Sequence, residues 1–227
     1  MQEVLDTQDL LQRLPPYFTG SFLARRNSGK STLIGQIVQE LIKAKRVDMV
    51  VVMTGSAGLG NGDYEFLPAK LVMPFNEDLL EKMWEKQKAT PPEHRQHLLI
   101  VIDDALATPE AINNPIINTI FSLGRHAFVS CFISSQHTKT LLSPLIKGNS
   151  DILVFSKLNR INLENVYECT THISKKDFIR ICEKLGGHDY NFVVLDNYKQ
   201  TNDPAEYLTI VRADPPASKK KEKDSKL

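Results

Sequence analysis

The sequence has little of what marks several protein classes. Only three cysteines occur among its 227 residues, Cys131, Cys169 and Cys182. That odd number, at that spacing, matches neither a zinc site nor a disulfide framework. They read as reduced thiols of an intracellular protein, with Cys131, inside an apolar run, in the core. No apolar run approaches the length needed to span a membrane. The start, MQEVLDTQDLLQRLPP, lacks the basic residues and apolar stretch of a signal peptide, so a soluble chain is expected. Excess charge is missing too. The net charge is +1, so no global basic field advertises nucleic acid, and any DNA contact has to come from local patches. No internal repeat is visible. No N-K-x-D segment is present to read guanine, which argues against a GTPase. The arginine-rich lid of a nucleotide kinase has only Lys157 and Arg160 to draw on.

What is present suits one substantial domain: 41% of the residues are hydrophobic, enough for a real core. Val4, Leu5, Leu11 and Leu14 give the start a weak helical spacing that Pro15 and Pro16 end. Residues 17–24 read as a strand, and 30–45 as a helix with Leu33, Ile34, Ile37, Val38, Leu41 and Ile42 on one face. Continuous apolar runs at 49–53, 98–102, 128–133 and 152–155 read as strands buried on both sides. Helices are expected over 79–88, 116–123 and 175–185, and further strands over 192–195 and 207–211. Residues 54–63 hold four glycines and read as a loop. Alternation of strands and helices implies an α/β domain with a central, mostly parallel sheet flanked by helices. Ligands in such sheets sit at the carboxyl ends of the strands, where the polar motifs are expected to gather. The implied divisions are a helical extension over 1–16, the main domain over 17–212 and a tail over 213–227. The tail carries Lys219, Lys220, Lys221, Lys223 and Lys226 with no apolar content, as disordered segments do. A DNA or partner arm, a nuclear address and a solubilising tail all remain open readings.

The segment ARRNSGKST, Ala24 to Thr32, follows the phosphate-loop pattern G-x-x-x-x-G-K-[ST], with Ala24 in place of the first glycine. A strand ends, the chain wraps so that successive N–H groups face an anion, and the next helix adds its positive terminus. Gly29 lets the backbone approach phosphate. Lys30 reaches the β- and γ-phosphates of ATP, Ser31 offers a hydroxyl to Mg²⁺, and Thr32 is placed for the α-phosphate. Asn27 and Ser28 complete the loop. Arg25 and Arg26 charge its tip, where phosphate, a neighbouring subunit and water are the available partners. An alanine at 24 is tolerable where φ stays negative.

The run LLIVIDD, 98–104, is an apolar strand ending in two carboxylates, expected on the strand adjacent to the phosphate loop. Asp103 is the candidate metal ligand beside Ser31. Asp104 is the candidate for orienting or deprotonating the attacking water. Gly124, Arg125 and His126 precede the next strand, and Ser134, Ser135 and Gln136 follow it. Gln136 fits a sensor of the γ-phosphate. Arg125 is a candidate arginine finger, which in trans requires an oligomer. His126 reads as an ordinary packed or exposed histidine.

Taken in order, SGKS (28–31), IDD (102–104), the Arg125–His126 pair and Gln136 resemble the genome-packaging ATPases of large DNA viruses and virophages, the poxvirus-type members of the FtsK–HerA superfamily. The likeness runs over about 17–211, with GNSDILVF (148–155) and YNFVVLDN (190–197) similar to the family's later strands. The resemblance implies a RecA-like P-loop ATPase core of the ASCE type, using ATP and Mg²⁺. It implies a homo-oligomeric ring, pentameric or hexameric, that pumps double-stranded DNA into a preformed capsid at a vertex or portal, in the infected cell. In that family's pattern Lys30 and Ser31 bind phosphate and metal, Asp103 coordinates the metal, Asp104 is the catalytic acid, Arg125 the trans finger and Gln136 the sensor. DNA contact would be with the backbone, from the loop 54–63, the segment after Asp104, Lys139, Lys147 or the tail. Another P-loop enzyme and a nucleotide-binding scaffold without turnover are the competing readings.

Overall fold

Aliphatic and β-branched runs alternate along the chain with stretches of helical periodicity, and each becomes an element of one sheet or of its two covers. The computed structural model describes residues 4–58, 62–105, 114–136, 141, 143–168, 173–185, 190–199, 201 and 203–215. The strands are β1 (Val4–Leu5), β2 (Thr19–Ala24), β3 (Met49–Thr54), β4 (Val72–Met73), β5 (Leu98–Asp103), β6 (Val129–Ser135), β7 (Ile152–Ser156), β8 (Asn191–Asp196) and β9 (Leu208–Arg212). The helices are α1 (Thr7–Arg13), α2 (Lys30–Lys43), α3 (Glu77–Ala89), α4 (Pro115–Leu123), α5 (Pro144–Asn149), α6 (Arg160–Tyr167), α7 (Lys175–Leu185) and α8 (Pro204–Tyr207).

The nine strands form a single sheet in the order β1-β9-β8-β7-β2-β6-β5-β3-β4. From β7 to β4 all neighbours are parallel, while β8 runs antiparallel to both β7 and β9. The mostly parallel α/β sheet is thus as expected, but its strand order corrects one expectation. β5 is not the neighbour of β2: β6 lies between them, with Ser21 opposite Ile133 and Ile133 opposite Ile102. β6, which Gln136 follows, therefore separates the strand of the phosphate loop from that of the aspartate pair.

Successive side chains point to opposite faces of the sheet, and both faces are buried. Leu98, Ile100 and Ile102 of β5 join one apolar cluster with Leu80 and Trp84 of α3, Ile117 and Ile120 of α4, and Phe178 of α7. Leu99 and Val101 join the other, with Leu10 of α1 and Leu33, Ile34, Ile37 and Leu41 of α2. Each of these fully buried Leu and Ile side chains is worth about 1.5–3 kcal/mol over exposure.

Capping explains the element ends. Asp6 accepts from the Asp9 N–H and Asp9 reaches back to the Asp6 N–H, a capping box that starts α1 at Thr7. Val4 and Leu5, read above as part of that helix, instead form a strand paired with Ile210 and Val211, so the first residues belong to the sheet. α2 ends with Lys45 at φ 52° and the Arg46 N–H bonded to the Leu41 carbonyl, a left-handed stop usually given to glycine. Three helices had no expected counterpart: α5, capped by Ser143, α6, capped by Asn159, and the four-residue α8, capped by Asp203. Among the described residues no helix is long and apolar enough to cross a membrane.

Candidate functional site

β2 delivers the chain to the carboxyl edge of the sheet at Ala24, which pairs in register with Ser156 and is fully buried. Ala24 is not among the residues with positive φ, so its methyl packs without strain and the missing glycine costs the loop nothing. Arg25, Arg26 and Asn27 then form an exposed tip. Asn27 at φ 61° and Gly29 at φ 90° give the left-handed turns of an anion nest. Gly29 precedes α2 and no side chain caps that helix, so its first N–H groups face the cavity as phosphate donors do. Ser28 Oγ, buried in the cavity wall, has no protein partner among the described residues.

The loop opens on a cavity of about 1010 Å³ lined also by Thr54, Gly55, Asp63, Asp103, Asp104, Gln136 and Tyr190. The side chain of Lys30 is only 6% exposed, and its Nζ lies 3.1 Å from Asp104 Oδ1. Gln136 Nε2 donates to Asp104 Oδ2 at 2.6 Å. Lys30, Asp104 and Gln136 thus converge from three separate elements. Asp104 stands just past β5 at φ 51°, a conformation that aspartate tolerates better than most residues.

Asp103 is 1% exposed, and both its oxygens accept hydrogen bonds. Ser134 Oγ donates to Oδ1 at 2.5 Å, and Tyr64 Oη donates to Oδ2 at 2.9 Å. Ser134 Oγ also accepts from the Asp104 N–H at 3.0 Å, so one hydroxyl fixes both aspartates. Burial first, then the charge of Asp103, hold the Tyr64 phenol well above its ordinary range, and it remains a donor at neutral pH. Thr32 Oγ1, expected at the α-phosphate, donates to Asp63 Oδ1 at 2.9 Å. The short 3-10 turn Gly62–Tyr64 therefore grips both the phosphate-loop helix and the metal-ligand candidate. Asp63 and Tyr64 had no sequence signal, because their partners lie on other elements. Among the described residues no group of three or more His, Cys, Asp or Glu could hold a metal alone. Ser31, with Asp103 on the cavity wall, instead fits a hydrated Mg²⁺ carried largely by water and phosphate oxygens.

Arg125 lies elsewhere. It sits in the turn that enters β6, at the edge where the parallel strands begin, so the expectation that every polar motif falls at a carboxyl end does not hold for Gly124–His126. It is exposed and lines a second cavity, of about 810 Å³, with Lys147, Asp151 and Asp196. Burial holds the carboxyls of Asp151 and Asp196 above their ordinary range. His126 is exposed, and its carbonyl accepts from Arg95. Lys147 pairs with Glu168. Cys131 and Cys182 are buried free thiols, and burial pushes Cys182 up to about 12. Cys169, Lys139, residues 59–61, most of the segment after Asp104 and the lysine run of the tail lie outside the described residues.

No family model matches the sequence. It is 25% identical over 187 residues to the uncharacterized protein 015R of Frog virus 3 (isolate Goorha), a match covering 79% of this chain. The chain spans about half, 56%, of that relative's length. Solved structures resemble it more fully. The genome packaging NTPase B204 of Sulfolobus turreted icosahedral virus 2, in complex with AMPPCP, superposes with a TM-score of 0.63 at 18% identity, over 88% of this chain and 100% of that one. B204 from Sulfolobus turreted icosahedral virus, described as a DNA-packaging ATPase, gives 0.62 at 17% identity over 88% and 99%. The pCW3 conjugation coupling protein TcpA, with ATPγS, gives 0.59 at 15% identity over 90% and 61%. The chain therefore has the P-loop ATPase fold shared by these packaging and conjugation proteins, with its phosphate loop, aspartate pair and Gln136 at one edge of the sheet.

Proposed function

We propose that this chain is a Mg²⁺-dependent ATPase that translocates double-stranded DNA, as a genome-packaging motor working in a homo-oligomeric ring. The observation that carries the reading is the meeting of Lys30, Asp103, Asp104 and Gln136 in one cavity at the end of an uncapped phosphate loop. The B204 proteins, which share the fold, are a genome packaging NTPase and a DNA-packaging ATPase.

In this reading the nest of Asn27 to Gly29 and the N-terminus of α2 take the phosphates, and Lys30 neutralises charge on the β- and γ-phosphates. Ser31 and Asp103 hold Mg²⁺, which when bound would withdraw charge from the phosphate oxygens. Asp104 orients the attacking water and accepts its proton, while Gln136, bonded to Asp104, reports the γ-phosphate to β6. A triphosphate entering here competes with Asp104 for the Lys30 ammonium, so phosphate binding releases the acid for its role. Arg125, at the opposite edge, serves a neighbour's site. The ring is a pentamer or hexamer, with capsid vertex or portal proteins as its further partners and the DNA backbone as the surface it pushes.

Steady-state ATP hydrolysis by the purified chain, with and without double-stranded DNA, tests this. Turnover is expected to rise with DNA and to fall to background in Lys30→Ala. Hydrolysis that persists in that variant overturns the site, and hydrolysis indifferent to DNA overturns the motor.

A further inference from the structure

The nucleotide cavity straddles the phosphate loop, and its two ends are chemically unlike. On the β6-β5-β3 side of β2 it is walled by Asp103, Asp104 and Gln136. On the β7-β8-β9 side it is walled by Tyr190, Gln36 and Asp214. The reacting groups all stand at the first end, so the terminal phosphate belongs there, and the rest of a nucleoside triphosphate has to run toward the second. We propose that Tyr190 is the platform for the nucleoside of the bound nucleotide, on a wall held in place by Gln36 and Asp214. The proposal rests on reading the site as a nucleoside triphosphate site.

Topology brings these residues to the loop. β8 is antiparallel to its neighbours, so its entry point at Tyr190 lies at the edge where β7 and β9 end. Ser156 Oγ donates to the Asn191 carbonyl at 2.7 Å, and Asn191 stands opposite Arg212. Tyr190 is at φ 62°, a left-handed conformation that a bulky side chain adopts only when its surroundings impose it. There its ring lies directly on the phosphate loop: a Cβ placed on Gly29 would fall 2.5 Å from Tyr190 Cδ1. The ring is half-buried, which leaves part of it to the cavity.

The rest of the wall is tied down. The Ala213 N–H donates to the Tyr190 carbonyl at 2.9 Å. Gln36, one turn along α2 from Thr32, uses both ends of its amide on the main chain of Asp214. Its Nε2 donates to the carbonyl at 2.8 Å, and its Oε1 accepts from the N–H at 3.0 Å. Gln36 is thus a positioning residue that holds the end of β9 against the nucleotide helix, and the aromatic face is left to meet a flat base. Stacking of a base on such a ring is sequence-tolerant, because every base has a π-face.

Titration calorimetry of the full chain with the magnesium complex of AMPPCP and with inorganic tripolyphosphate separates the two ends. Tyr190→Leu keeps bulk over Gly29 and removes the ring. It is expected to weaken AMPPCP about tenfold while tripolyphosphate stays within about twofold. Tyr190→Phe is expected to match the wild type for both. AMPPCP binding unchanged in Tyr190→Leu, or lost in step with tripolyphosphate, overturns the proposal, the latter showing that the ring only props the loop. Wild-type chain that binds neither probe overturns the nucleotide reading of the site instead.

Discussion

Asp103 shows how much a single side chain depends on its donors. Both its oxygens accept from buried hydroxyls, Tyr64 and Ser134, so it is held in one orientation. Removing one donor is expected to loosen it without disturbing the packing around it. Tyr64→Phe keeps the buried ring and deletes the bond. Turnover is expected to fall about tenfold, equal to about 1.4 kcal/mol, with a higher Mg²⁺ concentration needed for half-maximal rate. Hydrolysis measured across a Mg²⁺ series checks this, and an unchanged Mg²⁺ dependence would show that Tyr64 does no more than fill space. Lys30, Ser31, Asp103 and Asp104 were legible in the sequence because each belongs to a local pattern of apolar strand followed by loop. Tyr64 and Tyr190 were not, because each acts on a residue far away in the chain. Ala24 departs from the first glycine of the pattern, and the condition set for it, a negative φ, is met. At the end of a strand with negative φ, a methyl group in the core fits as well as glycine.

At the scale of elements, the close crossing of α2 by the 62–64 turn links the nucleotide helix to the metal side of the cavity. Gly35 makes that crossing possible, since a Cβ there would lie 2.4 Å from the Asp63 carbonyl oxygen. In an open helix, Gly→Ala stabilises by about 1 kcal/mol. Here the added methyl meets backbone, and Gly35→Ala is expected to destabilise the fold by about 1–3 kcal/mol. Turnover should fall with it, because the turn carries Asp63 and Tyr64. Urea unfolding together with hydrolysis checks both, and a stabilised variant would show that the turn moves aside freely. Periodicity located most strands and the longer helices, since their apolar residues recur over many positions. It missed α5, α6 and α8, which are short and owe their starts to Ser143, Asn159 and Asp203 rather than to a long stripe. It was silent on strand order as well: β5 and β6 are both continuous apolar runs, and nothing local to either says which one touches β2.

For the whole molecule, the candidate groups lie at two opposite edges of the sheet. One carries the nucleotide groups, and the other carries Arg125 in the turn before β6. In the proposed ring, Arg125 would serve the phosphate site of a neighbouring subunit rather than its own. Mixing Arg125→Ala chains with Asp104→Asn chains is therefore expected to restore part of the hydrolysis that each lacks alone. No recovery at any mixing ratio counts against a shared site.

The pairing of β1 with β9, Val4 opposite Ile210 and Leu5 opposite Val211, has a bearing on synthesis. The earliest described strand finds its only place beside the latest one. A pairing across so long a stretch of chain is a non-local contact of the kind that slows folding. On the ribosome, β1 has to wait for β9 to emerge, and Asp214, which follows β9, arrives later still. The wall that Asp214 gives the candidate nucleotide cavity is therefore in place only once the chain has been made through β9 and beyond it.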